Sequence, residues 1–173
     1  YQISHYQFVA SALVVRAAKK IDQDMQVGCM LHFGPIYPYS CDPKDAMASI
    51  KAMDRRFFFS DVQVRGKYPE YTKKLWQRKD FHLDITDEDL AVIESGTVAY
   101  IGFSYYKSTT AKFDQKNDFE EVPNPNVPKS DWGWAIDPIG LRYILNVVYE
   151  RYGLPLFIVE NGFGAYDKFE NGT

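Results

Sequence analysis

Three short apolar runs are separated by stretches too long to be hairpin turns. They are MQVGCMLHF (residues 25–33), VAYIGFSYY (98–106) and PLFIVE (155–160). Each has the length of a strand, and the intervening segments carry helix start and stop signals. Strands joined by helices must return to the same end of a sheet, so the order strand, helix, strand, helix, strand predicts an α/β fold with a parallel sheet. Three strands cannot bury both faces of such a sheet well, so further strands are expected outside this sequence. The chain opens at Tyr1 already in helical spacing and stops in a polar turn, FENGT. Residues 1–173 are therefore expected to be a single segment of a larger catalytic domain, truncated at both ends.

The helices can be read individually. Phe8, Ala12, Val15 and Ala18/Lys19 recur near every 3.6 residues, and Lys19 and Lys20 suit the negative end of a helix. Asp42 followed by Pro43 begins a second helix running through KDAMASIKAMDRRFFF, with MDRRFFF as its docking end. Pro69 opens PEYTKKLWQR. Thr86 and Asp89 form a capping box, and Gly96 ends that helix. Asp137-Pro138 starts PIGLRYILNVVYERY, closed by Gly153. Residues 107–131 read as a long polar loop in which FDQKNDFEE is solvated.

Composition narrows the function. With 46% apolar and 25% charged residues the chain reads as soluble and globular. A net charge of −3 offers no basic footprint for nucleic acid and no polybasic patch for a membrane. No apolar run approaches the ~20 residues a spanning helix needs. Cys29 and Cys41 form no framework; lone thiols suit a reducing cytosol, although two cysteines can also pair. His5, His32 and His82 lack metal-ligand spacing, and no cofactor is expected. No GxGxxG follows a strand, which argues against a dinucleotide-binding enzyme.

Glu160 is the most informative residue. It ends the apolar run Leu156-Phe157-Ile158-Val159, read as a buried strand, and is followed at once by Asn161 and Gly162. In parallel sheets reactive groups gather at the C-terminal strand ends. Ser104, Tyr105, Tyr106 and the segment from His32 to Tyr37 lie at such ends too. A carboxylate there can cap the next segment, ligate a metal, or act on a sugar as nucleophile or base; no acidic cluster supports the metal. Aromatic residues make up 16% of the chain, and flat rings suit sugar C–H faces. Trp132 and Trp134 in SDWGWAIDP are candidates, with core packing as the plainer role. His32 is either a substrate contact or a hydrogen-bonded structural histidine.

Four segments carry a resemblance to glycoside hydrolase family 1. FIVENGFGAYD resembles its nucleophile segment and YIGFSYY its strand ending in Asn-Tyr-Tyr. DVQVRGKYPEY resembles its Gly-x-Tyr-Pro segment, and GWAIDPIGLRYIL its Gly-Trp-x-x-x-Pro-x-Gly-Leu segment. Their wording is similar to bacterial 6-phospho-β-glucosidases. The resemblance implies a partial (β/α)8 barrel, with this chain similar to its fifth to seventh strands and flanking helices, from roughly the middle to the C-terminal part. It implies retaining hydrolysis of 6-phospho-β-D-glucosides in the cytoplasm through a covalent glycosyl-enzyme. Glu160 matches the nucleophile and Tyr106 the residue that hydrogen-bonds it. Trp134 matches an aglycone-side tryptophan, and Ser104 stands where much of the family has Asn.

The family's acid/base segment, Thr-x-Asn-Glu, does not occur in this sequence, nor does the Ser-x-Lys-x-Tyr phosphate segment. Asp24, Asp45, Asp54 and Asp61 do not match the acid. The isolated chain is therefore expected to be inactive. Exposed strand edges in a partial barrel would invite self-association. The alternative is a non-catalytic, truncated module that binds carbohydrate or a protein partner.

Overall fold

A computed structural model of the protein describes residues 1–169. The elements run α1 (Gln2–Ile21), β1 (Gly28–His32), β2 (Ile36–Pro38), α2 (Pro43–Arg65), α3 (Glu70–Lys79), α4 (Asp87–Ser95), β3 (Tyr100–Tyr105), β4 (Thr109–Asp114), β5 (Asp118–Val122), α5 (Pro138–Tyr152) and β6 (Leu156–Asn161). The principal sheet is parallel, with strand order β1-β3-β6. No helix among the described residues is long and apolar enough to cross a membrane.

The chain forms two compact units. The first contains Tyr1–Leu31, Asp54–Phe103 and Tyr149–Val159; the second contains His32–Met53, Ser104–Val148 and Glu160–Thr173. The C-terminal residues of all the principal strands thus belong to the second unit.

In the first unit, Phe8, Phe58, Val62, Tyr68 and Ile93 form a buried cluster. The predicted stripe of α1 is borne out, since Phe8, Ala12, Val15 and Ala18 are all buried, joined by His5. The capping box of α4 is also present: the Thr86 hydroxyl accepts from Asp89 N at 3.1 Å, and the Asp89 carboxylate accepts from Thr86 N at 3.2 Å. Such caps contribute about 1 kcal/mol. Helix α2 does not end at the FFF cluster; it continues to Arg65, and Gly66 follows it at φ +66°. The polar Ser60 and Asp61 that suggest an ending are fully buried. Asp61 accepts two bonds from Arg151 (2.6 and 3.0 Å), one from Tyr71 (2.6 Å) and one from Tyr152 (3.0 Å), which is why an acid can sit inside this helix face.

In the second unit, residues 107–131 are not a featureless loop. They hold β4 and β5, an antiparallel hairpin with Ala111 opposite Glu121 and Phe113 opposite Phe119. Strand β2 pairs in parallel with β4, Ile36 opposite Thr109. The hairpin packs Ala111 against Ile36, Ala48 and Ala52. Its charged residues Lys112, Glu120 and Glu121 face solvent, which is what gives FDQKNDFEE its loop-like composition. Asp114 closes the turn by accepting from the backbone of Lys116 and Asn117, and Asp118 takes positive φ.

The apolar run before Glu160 is not buried as its composition suggests. Strand β6 is an edge, and Phe157, Ile158 and Val159 are 61%, 37% and 47% exposed. Only central β3 is buried along nearly its whole length. Composition alone cannot distinguish an edge strand from a central one, because that depends on what lies beside it.

Candidate active site

The last residues of β6 and the segment after β3 meet within the second unit. Tyr106, immediately after β3, donates its hydroxyl to Glu160 Oε2 at 2.9 Å. The Tyr106 phenol is raised above its ordinary value, first by this hydrogen bond to the carboxylate, then by desolvation and the carboxylate charge. Asn161 turns its side chain back to the same segment, donating Nδ2–H to the Tyr105 carbonyl at 2.8 Å. Gly162 explains the third residue of the motif: a Cβ there would lie 2.8 Å from Tyr106 Cε1. Any side chain would displace the ring that holds Glu160, so Glu-Asn-Gly reads as carboxylate, tether and clearance.

Aromatic rings surround this pair. Trp134 meets Tyr106 edge-on with centroids 5.6 Å apart, and Trp132 stands perpendicular to Trp134 at 5.3 Å. His32, at the end of β1, stacks on Tyr106 at 6.3 Å. The Lys107 ammonium lies 5.3 Å from the Trp134 ring centroid. A cavity of about 350 Å³ is lined by Tyr106, Trp134, Asn161, Gly162, Phe163 and Gly164, among others. Its mixture of rings and a few directed polar groups suits a small organic ligand.

Asp137 is part of the cavity wall and mostly buried. Its carboxylate accepts from Gly140 N at 2.8 Å, capping α5, and from the Tyr37 hydroxyl at 3.1 Å. The Tyr105 hydroxyl donates to the Asp137 carbonyl. These bonds fix the segment between Trp134 and α5.

Of the sequence candidates, Tyr106 and Trp134 line the cavity, and Glu160, which does not, is held next to it by its bond to Tyr106. Ser104 is 4% exposed and is not among the residues lining the cavity; its carbonyl accepts from Phe33 N at 3.0 Å. Sequence reasoning missed Lys107 and Gly162 as parts of the site. Lys107 follows the Tyr-Tyr pair directly, and that adjacency was the available signal. Among the described residues no group of three or more side chains is placed to hold a metal ion.

Known proteins resemble the chain along its whole length. The sequence pattern of glycosyl hydrolase family 1 matches residues 1–173. An aryl-phospho-β-D-glucosidase, BglA of Bacillus subtilis, is 50% identical over 98% of this chain and 38% of its own length. The 6-phospho-β-glucosidase AscB of Escherichia coli is 42% identical over 98% of this chain and 37% of its own. A solved family 1 β-glucosidase from Thermotoga maritima superposes with a TM-score of 0.81 and 27% identity, covering 96% of this chain and 38% of that one. The chain thus spans well under half the length of these relatives, and its fold is that of part of their α/β barrel. By its sequence along the whole chain and by its fold, the protein belongs to glycosyl hydrolase family 1.

Proposed function

We propose that this chain carries the nucleophile side of a retaining β-glycosidase acting on 6-phospho-β-D-glucosides. The observation that carries the reading is the 2.9 Å bond from Tyr106 to Glu160 at the C-terminal end of β6. The O–H donor holds one carboxylate oxygen and leaves the other free to react. Glu160 then attacks the anomeric carbon as the bond to the leaving oxygen breaks. The leaving oxygen takes a proton from an acid, and water later displaces Glu160 from the sugar, so configuration is retained. In this mechanism the two carboxyl groups sit ~5–5.5 Å apart, with no water between them. We assign the acid to residues outside this sequence, because its Thr-x-Asn-Glu segment is absent. Trp134 supplies an aromatic wall on the aglycone side, and Ser104 supports the strand end through its carbonyl, which accepts from Phe33 N.

The phospho-sugar preference rests on the names of the relatives, which are aryl-phospho- and 6-phospho-β-glucosidases. A phosphorylated sugar does not partition across a bilayer, so a cytoplasmic location belongs to the same reading.

The test is covalent labelling with a 2,4-dinitrophenyl 2-deoxy-2-fluoro-β-glucoside 6-phosphate. Dinitrophenolate departs without a proton, so the missing acid is not needed. We expect an adduct on the peptide bearing Glu160, abolished in Glu160→Gln, while phosphoglucosides with poor leaving groups are not turned over by the chain alone. An adduct on another carboxylate, or labelling that survives Glu160→Gln, overturns the assignment.

The exposed apolar edge of β6 favours one further reading, a chain that associates with itself or a partner through that edge. A strictly monomeric species by light scattering at high concentration eliminates self-association.

A further inference from the structure

The second unit holds another cavity that the glycosidase reading leaves unused. It measures about 250 Å³, and its polar lining comes from Lys107, Ser108, Thr109, Glu121, Asn124 and Lys129. The segment that builds it is the β4–β5 hairpin and its flanks, read from sequence as solvated loop.

The lining is biased toward donors. Its one carboxylate, Glu121, accepts from the Thr109 hydroxyl at 2.7 Å, and the two lysines outweigh its single charge. Asn124 uses its oxygen to accept from Asn126 N at 2.9 Å, which leaves its NH₂ as the end available to donate. Ser108 is 1% exposed, and its hydroxyl finds no hydrogen-bond partner among the described residues. A buried hydroxyl in that condition has both its donor and its acceptor capacity available to a group entering the cavity. Lys107 and Lys129 both line the same space and carry the charge that would draw an anion to it.

The geometry points to a second anion site: this cavity takes a phosphate group through Lys107, Lys129 and the Ser108 hydroxyl, and Lys107 couples its occupancy to Trp134. The coupling follows from one side chain serving two partners. Lys107 lies over the Trp134 ring at 5.3 Å. A charge-assisted hydrogen bond to phosphate is stronger than a partly solvated cation–π contact, so binding withdraws the ammonium from the ring. The inference holds whether or not Glu160 is a nucleophile.

The test titrates the chain at constant ionic strength with inorganic phosphate, glucose 6-phosphate and neutral glucose, by calorimetry and tryptophan fluorescence. Saturable binding of the phosphates and none of glucose is expected. Tighter binding of glucose 6-phosphate assigns the site to a phosphomonoester, and equal binding assigns it to the free anion. Lys129→Met weakens binding about tenfold or more, and Ser108→Ala by a smaller factor. Lys129 is exposed, so its substitution leaves the fold intact, as circular dichroism will verify. Trp134→Phe removes the fluorescence change that accompanies binding. The inference is overturned if neither phosphate saturates at high millimolar concentration. It is also overturned if binding is unchanged in the Lys107→Met, Lys129→Met double variant, or if it follows Glu160→Gln instead of Lys129→Met.

Discussion

Asp61 in the first unit and Glu160 in the second are both carboxylates beside tyrosine, and their surroundings differ in kind. Asp61 has no exposure, and its two oxygens accept four hydrogen bonds, from Arg151 twice, Tyr71 and Tyr152. Glu160 is exposed, and among the described residues one donor, Tyr106, reaches it. An ionised carboxylate has about four lone-pair positions. Asp61 has filled them and has no capacity left for a reactant. Glu160 is oriented by one bond and keeps an oxygen free. A saturated buried charge serves the fold; a held but unsaturated charge at a strand end is available for chemistry.

The comparison can be broken most directly at Asp61. Asp61→Ala strips Arg151, whose side chain is 26% exposed, of its buried partner and leaves Tyr71 and Tyr152 without their acceptor; the expected cost is about 3 kcal/mol, the low end for a broken buried pair. A urea unfolding curve measures it, and Glu160→Gln serves as the control, expected within about 0.5 kcal/mol of the parent. Equal effects at the two sites would erase the distinction. Tyr71→Phe removes one donor from the same buried charge and is expected to cost about 1.5–3 kcal/mol by the same measurement.

Tyr106 sharpens the other side. Its phenol is raised by the bond to Glu160, so it titrates above the ordinary value of ~10. The stability this bond lends is complete below ~10 and is lost as pH rises through the raised folded value. Glu160→Gln removes the charge and shifts the phenol back down. Ultraviolet difference titration against Tyr106→Phe reads the shift, and an unmoved phenol would contradict the pairing.

The mildest expected effect concerns the thiols, which repeat the buried-against-exposed contrast. Burial pushes the Cys29 thiol up to about 11, whereas Cys41 is exposed. Ellman's reagent should therefore modify Cys41 quickly in the native chain and Cys29 only after denaturation. Fast reaction of both would show that the first unit opens readily.

Much of the fold was legible in local chemistry. The α1 stripe, the Thr86–Asp89 box, the Pro43 and Pro138 helix starts and the Gly153 stop all depend on neighbours within a turn or two, and the structure bears them out. The continuation of α2 past FFF was not legible, because Asp61 is tolerated there through donors from Tyr71 and from Arg151 and Tyr152, the last two 90 and 91 residues away. The hairpin at residues 109–122 was hidden for a similar reason. Its buried residues, Thr110 and Ala111, are small, and its charged residues dominate the composition.

The sequence by itself determined the strand–helix alternation, the strand-end position of Glu160 and the family the chain belongs to. Periodicity, caps and short motifs are local in the chain, and they survive without knowledge of what packs where. Only the tertiary structure decided that Tyr106 reaches Glu160, that Gly162 clears space for that ring, and that Lys107 lies over Trp134. It also decided that the apolar run of β6 lies at an edge and that Ser108 is buried beside two lysines. Hydrogen bonds, exposure and charge pairing are set by distances between residues far apart in sequence, and those distances exist only once the chain has folded.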